Sequence, residues 1–381
     1  MEMSLILMVM IIKSLELKNY RNYDYLELDF NKNVNILYGD NAQGKTNILE
    51  AIYMAATARS HRGSKDREII NFNENEAHIK LFLEKKRSPF RLDMHIKKNK
   101  AKGIAVNSVP VKKASELFGM VKIVFFSPED LSLIKKGPAE RRRFVDFELC
   151  QLNKLYINAL INYNKALMQR NRLLKDYNLK SELMDMLDVW DIQLVSFGRS
   201  IIEFRSKFID SLNKIMPEIH YNLTGEKELI KICYAGNTAA DAFEGTLKRS
   251  RETDIKLKMT NTGPHRDDIN FLISSGKNKS SNNWIDLKLY GSQGQQRTVA
   301  LSLKLAEIDL VNKISGSYPI LLLDDVLSEL DLNRQKKLMS AINHIQTVIT
   351  CTGVEDIIKQ SFRIDKLIRI KNNHAYVENI K

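Results

Sequence analysis

A glycine-framed loop followed by lysine and threonine carries the strongest chemical signal in the sequence. Residues 39–46 read Gly-Asp-Asn-Ala-Gln-Gly-Lys-Thr and match the pattern GxxxxGK[ST] at every fixed position. In such a loop, backbone N–H groups turn inward around phosphate oxygens, and the following helix adds its positive dipole end. We expect Lys45 to reach the β and γ phosphates of a nucleotide, and Thr46 to ligate Mg²⁺. The expected nucleotide contacts comprise the whole loop: Gly39, Asp40, Asn41, Ala42, Gln43, Gly44, Lys45 and Thr46.

Two adjacent acids end a continuous apolar run, Pro-Ile-Leu-Leu-Leu-Asp-Asp, at residues 319–325. Such a run is typical of a strand buried in a parallel sheet. Adjacent carboxylates repel each other and lose hydration, so the pair is costly unless a cation or a polarised water uses it. We assign Asp324 to Mg²⁺ and Asp325 to the attacking water, with Lys45 and Asp325 as the catalytic pair. A strand end neutralised by an arginine is the alternative.

A third segment combines glycines and polar residues just before a strong helix pattern. Residues 290–298 read Tyr-Gly-Ser-Gln-Gly-Gln-Gln-Arg-Thr, and the helix pattern covers residues 299–307. The N-terminus of a helix preceded by such residues is a second anion site. We expect Ser292, Gln293, Gly294 and Gln295 to form that anion site.

The surrounding pattern predicts the elements that must position these residues. Between residues 11 and 37 we expect strand, turn, strand, and the second strand, residues 34–38, leads directly into the glycine loop and a helix. Residues 69–126 favour short strands, including a hairpin over residues 90–111 with Asn99 and Gly103 at its tip. Together these patterns predict an α/β protein with a β-rich lobe.

The middle of the chain is different, because residues 139–216 contain no proline and only one glycine, Gly198. Two long amphipathic helices are expected there, with Ser181 as the N-cap of the second. They form either a short antiparallel arm or an ordinary helical bundle. Alternation of strands and helices resumes near residue 255. We therefore expect one domain interrupted by another: residues 10–130, a helical arm at 131–254, and residues 255–381.

Composition narrows the class of protein. The chain has 381 residues with a formal charge of +13, and its three cysteines form no CxxC pair. A disulfide framework or thiolate zinc site is therefore excluded, and the seven histidines show no metal-ligand spacing. We expect a cytoplasmic protein that does not enter a membrane. The apolar residues 3–12 have no basic flank or cleavage site, and we interpret those before Met10 as an upstream start; a signal anchor is the alternative.

Positive charge is concentrated between residues 85 and 113, which contain ten Lys or Arg and one acid, Asp93. We expect this surface to contact the DNA backbone without sequence specificity, since no sequence-reading motif accompanies it. A solvated basic face is the alternative. The proposed DNA contacts are Lys97, Lys98, Lys100 and Lys102.

The three chemical motifs occur in the order found in ATP-binding-cassette ATPase heads, which this chain resembles. That resemblance implies that Ser292 and Gly294 contact the γ-phosphate of ATP bound to a second subunit. It also implies that residues 328–331, ending at Asp331, cross the dimer seam. Transporter ATPases place the glycine loop and the two adjacent acids much closer together in sequence than this chain does.

Several further segments are similar to the bacterial RecF family of recombinational repair proteins, across nearly the whole chain from Met10: residues 17–23, 60–62, 126–131, 137–144 and 262–268. The resemblance implies a P-loop ABC-type ATPase head, with a mixed or parallel sheet and a β-rich lobe, interrupted by a helical arm. It further implies ATP and Mg²⁺ as cofactors and an ATP-dependent homodimer. The implied partners are duplex and single-stranded DNA at gaps and junctions, with RecR and RecO, to help load RecA.

Two departures from the general cassette pattern predict slow ATP hydrolysis. Pro-Glu-Asp at residues 128–130 replaces a glutamine loop, and Thr-Cys-Thr at 350–352 replaces a histidine switch. We therefore expect a weak, DNA-dependent ATPase that uses hydrolysis to reset a clamp. The alternatives are a structural chromosome ATPase, disfavoured by the short arm, and a DNA-dependent motor, for which no helicase motifs are present.

Overall fold

The computed structural model describes residues 10–85, 88–175, 183–275, 283–354 and 362–378. Residues 1–9 and Ser181, for which we made predictions above, lie outside these ranges. The strands are β1 (Met10–Tyr20), β2 (Tyr23–Asp29), β3 (Val34–Tyr38), β4 (Glu76–Lys85), β5 (Ser88–Lys97), β6 (Lys100–Val106), β7 (Val109–Pro110), β8 (Ile123–Phe126), β9 (Glu228–Ala235), β10 (Asp268–Ser275), β11 (Ile285–Asp286), β12 (Ile320–Asp324), β13 (Thr347–Cys351), β14 (Lys366–Lys371) and β15 (His374–Glu378). The helices are α1 (Lys45–Thr57), α2 (Asp66–Ile69), α3 (Pro138–Leu152), α4 (Lys154–Lys175), α5 (Leu183–Asn213), α6 (Met216–Leu223), α7 (Phe243–Leu257), α8 (Leu287–Tyr290), α9 (Gln293–Ser315) and α10 (Leu332–Ile342).

The chain divides into two compact units, one of residues 1–130 with 307–381 and one of residues 131–306. The second boundary therefore differs from the expected one at residue 255. The reason is that β9, β10 and β11 pair into a three-stranded antiparallel sheet, so the strands after residue 255 are held by a strand before it. The helical insertion is consequently longer than predicted and contains a sheet of its own.

A mostly parallel sheet forms the first layer of the first unit, in the order β15-β14-β3-β13-β12-β8. The central strand β13 pairs in parallel with β3 on one side and with β12 on the other. Parallel strands end at the same edge of a sheet. The loop after β3 and the acids at the end of β12 are thereby brought to one edge, as their sequence patterns predict.

An antiparallel sheet, in the order β2-β1-β4-β5-β6-β7, forms the β-rich lobe of the same unit. The sequence pattern missed β2, which pairs with β1 across a two-residue turn and buries Tyr23, Leu26 and Leu28. The β5–β6 hairpin is confirmed, but Gly103 lies within β6, opposite His95, rather than at the tip. The turn itself consists of Lys98 and Asn99.

Helices dominate the second unit, and the two long ones are α4 and α5, which pack against each other. Helix α5 also contacts α3, α6, α7 and β9. These contacts favour the bundle alternative over a projecting arm. Within the described ranges, we find no helix with the length and apolar character needed to cross a bilayer.

Candidate nucleotide-binding site

Close backbone approach determines the conformation of the glycine loop between β3 and α1. Gly39 and Gly44 have φ of 146° and 98°, in the region that favours glycine. A Cβ on Gly39 would lie 2.3 Å from the carbonyl oxygen of Ile370, and one on Gly44 would lie 2.5 Å from Asn22 Nδ2. Both glycines of the motif are therefore required by the packing around the loop.

The Lys45 side chain folds back over this loop. Its Nζ donates hydrogen bonds to the carbonyl oxygens of Gly39, at 2.6 Å, and Asp40, at 2.7 Å. Burial lowers the pKa of Lys45, while the nearby Asp325 carboxylate opposes that shift. The ammonium is thus held inside the loop, where a phosphate oxygen could replace the two carbonyls.

Three oxygen-bearing side chains converge at the shared edge of the parallel sheet. The hydroxyl of Thr46 donates to Asp324 Oδ1 at 2.8 Å, and the hydroxyl of Thr350 donates to the same oxygen at 2.7 Å. Hydroxyl and carboxylate oxygens are the protein ligands that Mg²⁺ prefers. The residue types and their proximity therefore fit the metal role expected for Thr46 and Asp324.

Asp325 lies next to this cluster in a left-handed conformation, with φ of 51°. Its backbone N–H donates to Thr350 Oγ1 at 3.0 Å, but its own Oδ1 is buried without a hydrogen-bond partner. The pKa of Asp325 is raised mainly by burial, and the neighbouring Asp324 carboxylate raises it further. Within the described ranges no arginine pairs with either acid, so the neutralised strand end is not observed.

A cavity of 230 Å³ lies between these residues. It is lined by the loop from Asn41 to Asn47, together with Arg62, Asp325, Thr350 and Thr352. A larger open cavity of 750 Å³ shares Asn47 and Arg62 with it. Sequence reasoning missed Arg62 and Asn47 as site residues, because nothing in their local pattern indicates which cavity they line.

An ion pair between a half-buried arginine and a buried glutamate supports the helix that carries Lys45 and Thr46. Arg21 donates to Glu50 of α1 through Nε at 2.9 Å and through Nη2 at 2.8 Å, and its Nη2 also donates to Ser64 Oγ at 2.7 Å. Burial pushes the pKa of Glu50 upward, but hydrogen bonds from Arg21 and Ser60 outweigh it, so the pKa lies below its usual value. The pair connects α1 to the segment that presents Arg62.

The signature segment lies in the second unit, and its helix begins earlier than predicted. Helix α9 starts at Gln293, because Ser292 and Gln295 cap it reciprocally. The Ser292 backbone N–H donates to Gln295 Oε1 at 2.8 Å, and the Gln295 N–H donates to Ser292 Oγ at 3.2 Å. Ser292, Gln293 and Gly294 are exposed, so the N-terminus of this helix is open to solvent.

Asp331, expected at a dimer seam, is the N-cap of α10. Its Oδ1 accepts from the Arg334 backbone N–H at 2.9 Å, and its Oδ2 accepts from Arg334 Nη1 at 2.6 Å. The pKa of Asp331 is lowered mainly by the hydrogen bond from the Arg334 backbone N–H. The carboxylate therefore has a defined local structural role in the single chain.

The four lysines expected to contact DNA differ in their surroundings. Lys102 Nζ donates to the Ala58 carbonyl at 2.8 Å and pairs with Asp66 at 2.7 Å, so its ammonium is already occupied within the fold. Lys97 lies 3.4 Å from Glu76. Lys98 and Lys100 are exposed, and Lys98 also lines the larger cavity. Only the latter two present ammonium groups suited to an external phosphate.

The turn around His265 is held by hydrogen bonds to both nitrogens of the His265 ring. One ring nitrogen, Nδ1, lies 2.7 Å from the Tyr163 hydroxyl, and Nε2 lies 2.9 Å from the Thr260 carbonyl. Burial lowers the pKa of His265 to about 4. Arg141, at the start of α3, forms a two-point ion pair with Asp268 in the same unit.

Three side chains that could hold a metal ion lie outside the nucleotide site, although the spacing of the histidines along the sequence does not indicate them. Pairing of β4 with β5 brings Glu76, His78 and His95 together on one face of the antiparallel sheet, with ligand atoms within 4.8 Å of one another. Sequence spacing could not show this, because residues 78 and 95 become neighbours only through the strand register.

Comparison with known proteins agrees with this architecture. The family model described as RecF/RecN/SMC N terminal domain matches residues 11–378. A DNA replication and repair protein RecF from Lachnospira eligens is 55% identical over 372 residues, covering 97% of this chain and 100% of that protein. The chain belongs to the RecF family. The RecF of Lachnoclostridium phytofermentans is also 55% identical, covering 95% of this chain and 98% of that protein.

Solved structures extend the family assignment to the fold. A structure of the recombination mediator protein RecF-ATP in the RecFOR pathway has 32% identity and a TM-score of 0.89, covering 99% of this chain and 100% of that one. An Smc head domain from Pyrococcus furiosus, bound to the C-terminal domain of ScpA, has 15% identity and a TM-score of 0.56, covering 98% and 96%. The RecF and Smc matches together confirm the ABC-type ATPase head predicted from the sequence.

Proposed function

We propose that this protein is an ATP-switched DNA-binding protein of recombinational repair. One observation carries the proposal: Lys45, Thr46, Asp324 and Asp325 meet at one sheet edge, beside a cavity of 230 Å³. Membership of the RecF family and similarity to a RecF structure with ATP support ATP as the ligand and DNA repair as the process.

The geometry suggests a role for each side chain of the site. The triphosphate would occupy the smaller cavity, where Lys45 exchanges its two loop carbonyls for β- and γ-phosphate oxygens. Thr46 and Asp324 would hold Mg²⁺, which neutralises charge on those oxygens when bound. Asp325 orients the attacking water and takes its proton, because its Oδ1 has no partner that must first be displaced. The adjoining cavity of 750 Å³ has room for the nucleoside.

Closure of two subunits would complete the site. Ser292 and Gly294 lie at the exposed start of a long helix, and the atom nearest to a Cβ built on Gly294 is Ser292 Oγ, 3.9 Å away. This open, partly positive helix end suits the γ-phosphate of ATP bound to a second copy of the chain. Residues from Ser328 to Asp331 would lie at the same seam.

The surroundings of Thr350 support slow turnover. Its hydroxyl donates to Asp324, and it stands where other heads carry a histidine switch, so no imidazole is available there to sense the γ-phosphate. We therefore propose a weak ATPase whose hydrolysis is stimulated by DNA and resets the clamp.

The DNA contact would be electrostatic, through Lys98 and Lys100 at the β5–β6 turn, and it would not read sequence. Duplex and single-stranded DNA at gaps and junctions would both be bound. RecR and RecO are the proposed protein partners, because the matched structure belongs to the RecFOR pathway, and RecA loading is the proposed outcome.

Sedimentation and duplex-DNA binding, each with and without ATP·Mg²⁺, test the proposal on wild type, Lys45→Ala and Asp325→Asn. ATP should drive the wild type to DNA-bound dimers, Lys45→Ala should stay monomeric, and Asp325→Asn should remain a DNA-bound dimer. The Lys45→Ala protein should bind ATP at least about tenfold more weakly, because it lacks two charge-assisted hydrogen bonds to phosphate oxygens. If all three proteins bind DNA equally and ATP changes nothing, the switch is refuted.

A further inference from the structure

The β4–β5 pair carries a cluster of side chains that the nucleotide site does not use. His78 on β4 lies directly opposite His95 on β5, and Glu76 lies opposite Lys97. Successive odd or even positions of a strand share one face, so Glu76 and His78 point to the same side of the sheet. That side is the half-exposed one, since the intervening residues of β4 are buried.

The donor atoms of this cluster converge. Glu76 presents one carboxylate oxygen to each ring: Oε2 lies 3.0 Å from His95 Nε2, and Oε1 lies 3.5 Å from His78 Nε2. The two imidazole rings stack with centroids 4.1 Å apart and an interplanar angle of 21°. All three ligand atoms fall within 4.8 Å of one another.

Two of these separations, 3.0 and 3.5 Å from the Glu76 oxygens to the ring nitrogens, are close to those around a small metal ion. Ligands about 2.0–2.2 Å from a tetrahedral zinc ion lie roughly 3.4 Å from each other. Two imidazole nitrogens and one carboxylate oxygen form a donor set known for zinc sites that retain an open position. Nitrogen donors disfavour Mg²⁺ and Ca²⁺, which prefer oxygen, so the set selects a transition metal over the cation of the nucleotide site.

We propose that Glu76, His78 and His95 bind a divalent transition metal ion of the zinc class, which clips β4 to β5. The ion joins two neighbouring strands of the β-rich lobe and leaves at least one coordination position for water. It adds two positive charges next to Lys97, beside the hairpin turn with Lys98 and Lys100. The site is independent of the ATP switch.

Neighbouring ammonium groups compete with the metal. Lys97 Nζ lies 3.4 Å from Glu76 Oε2, and Lys18 of β1 is paired in register with His78. Metal binding must displace Lys97 from the carboxylate. This competition provides a variant that should strengthen the site, alongside those that weaken it.

The test uses the full-length protein without an affinity tag, stripped of metal by a chelator and kept free of nucleotide. Zn²⁺ affinity is measured by competition with a chromogenic chelator, and the ligand field is read from the visible absorption of bound Co²⁺. The variants are His78→Gln, His95→Gln and Lys97→Met, with the exposed His374→Gln as the matched control. Urea unfolding without metal verifies that each variant is folded.

The wild type and His374→Gln should bind one Zn²⁺ per chain with equal affinity and give the intense Co²⁺ bands of a low-coordinate site. His78→Gln and His95→Gln should each lose more than about tenfold in Zn²⁺ affinity. Replacing a residue that only hydrogen-bonds to a metal ligand already costs about tenfold or more, and these residues are ligands themselves. Lys97→Met should tighten binding by up to about fivefold, the factor that an exposed ion pair can contribute. Unchanged affinity in folded His78→Gln and His95→Gln, or weaker binding by Lys97→Met, would overturn the proposal.

Discussion

The hydroxyl of Thr46 donates a 2.8 Å hydrogen bond to Asp324 Oδ1, across 278 residues of sequence. The contact exists because β3 and β12 flank β13 in one parallel sheet and end at the same edge. Thr350, at the end of β13, donates to the same oxygen. The two expected Mg²⁺ ligands are thus already adjacent in the single chain.

Asp325→Asn should slow ATP hydrolysis strongly while ATP binding is retained. Loss of a general base typically slows the chemical step by about 10²- to 10⁴-fold. Single-turnover hydrolysis and equilibrium ATP binding measure the two effects separately. The exposed Asp29→Asn on β2 makes the same chemical change outside the site and should leave both unaffected.

The pH profile provides a second signature of this residue. Burial raises the pKa of Asp325, so wild-type hydrolysis should fall with decreasing pH at a midpoint above the ordinary carboxyl pKa of 3.8. The decline follows because only the ionised carboxylate accepts a proton. An Asp325→Asn protein that kept the wild-type rate and pH profile would exclude Asp325 as the base.

Gly44→Ala should lower stability and ATP affinity more than Gly63→Ala does. A Cβ at Gly44 would lie 2.5 Å from Asn22 Nδ2 and 2.6 Å from the Tyr23 hydroxyl oxygen, at φ of 98°. Gly63 also has positive φ, 72°, but no atom lies within 4 Å of its Cβ position. Gly63→Ala should cost about 1–2 kcal/mol of unfolding free energy from backbone strain alone.

The comparison of the two alanine variants separates strain from packing. Gly63→Ala should bind ATP like the wild type, whereas Gly44→Ala should lose more unfolding free energy and bind ATP more weakly. Urea denaturation and ATP titration measure the two quantities. Equal effects of the two substitutions on both would show that the loop tolerates a side chain at Gly44.

Stability should fall in mild acid because of His265. Its pKa is lowered by burial to about 4, from 6.5 in the unfolded chain. Between these two values the unfolded state binds more protons than the folded state. The contribution of His265 to the free energy of unfolding is therefore fully present above pH 6.5 and is lost as the pH falls toward 4. The maximum effect is about 3 kcal/mol.

Urea unfolding of wild type and His265→Gln at pH 7.5 and pH 5 measures this contribution. The wild type should lose more unfolding free energy between the two pH values than the variant does. Both proteins share every other titrating group, so the difference isolates His265. Parallel losses would mean that His265 is not buried as a neutral ring.

DNA affinity should depend on Lys98 and Lys100 but not on Lys102. Replacing the first two by glutamine should reduce the log–log salt slope for duplex binding by about 1.8, since each phosphate contact contributes about 0.9. Lys102→Gln should not change that slope, because its ammonium is bonded to Ala58 and Asp66. Fluorescence anisotropy over a series of salt concentrations provides the measurement. The reverse ranking would place the DNA elsewhere on the surface.

The parts of the site that local sequence specifies could be predicted. The glycine loop is identified by its own motif with a strand before it and a helix after it, and the two acids by the apolar strand that they end. Short segments therefore sufficed to predict Lys45, Thr46, Asp324 and Asp325.

The parts that depend on long-range register could not be predicted. Thr350 contacts Asp324 only because β13 lies between β3 and β12, and Arg62 lines the cavity through the position of its loop. The cross-strand pairing of His78 with His95 is set by the β4–β5 register. The extent of the inserted unit was missed because β9 pairs with a strand beyond the expected boundary.

In the proposed dimer, the phosphate loop of one chain acts together with the signature segment of the other. Lys45→Ala breaks the first element and Ser292→Arg breaks the second, and we expect each variant alone to be inactive. Mixed in equal amounts, they should form dimers that hold one intact composite site, and the mixture should recover the ATPase activity that neither variant shows alone. Mixed dimers that form on ATP but show no recovered hydrolysis would contradict the composite site, as would full activity of Ser292→Arg alone.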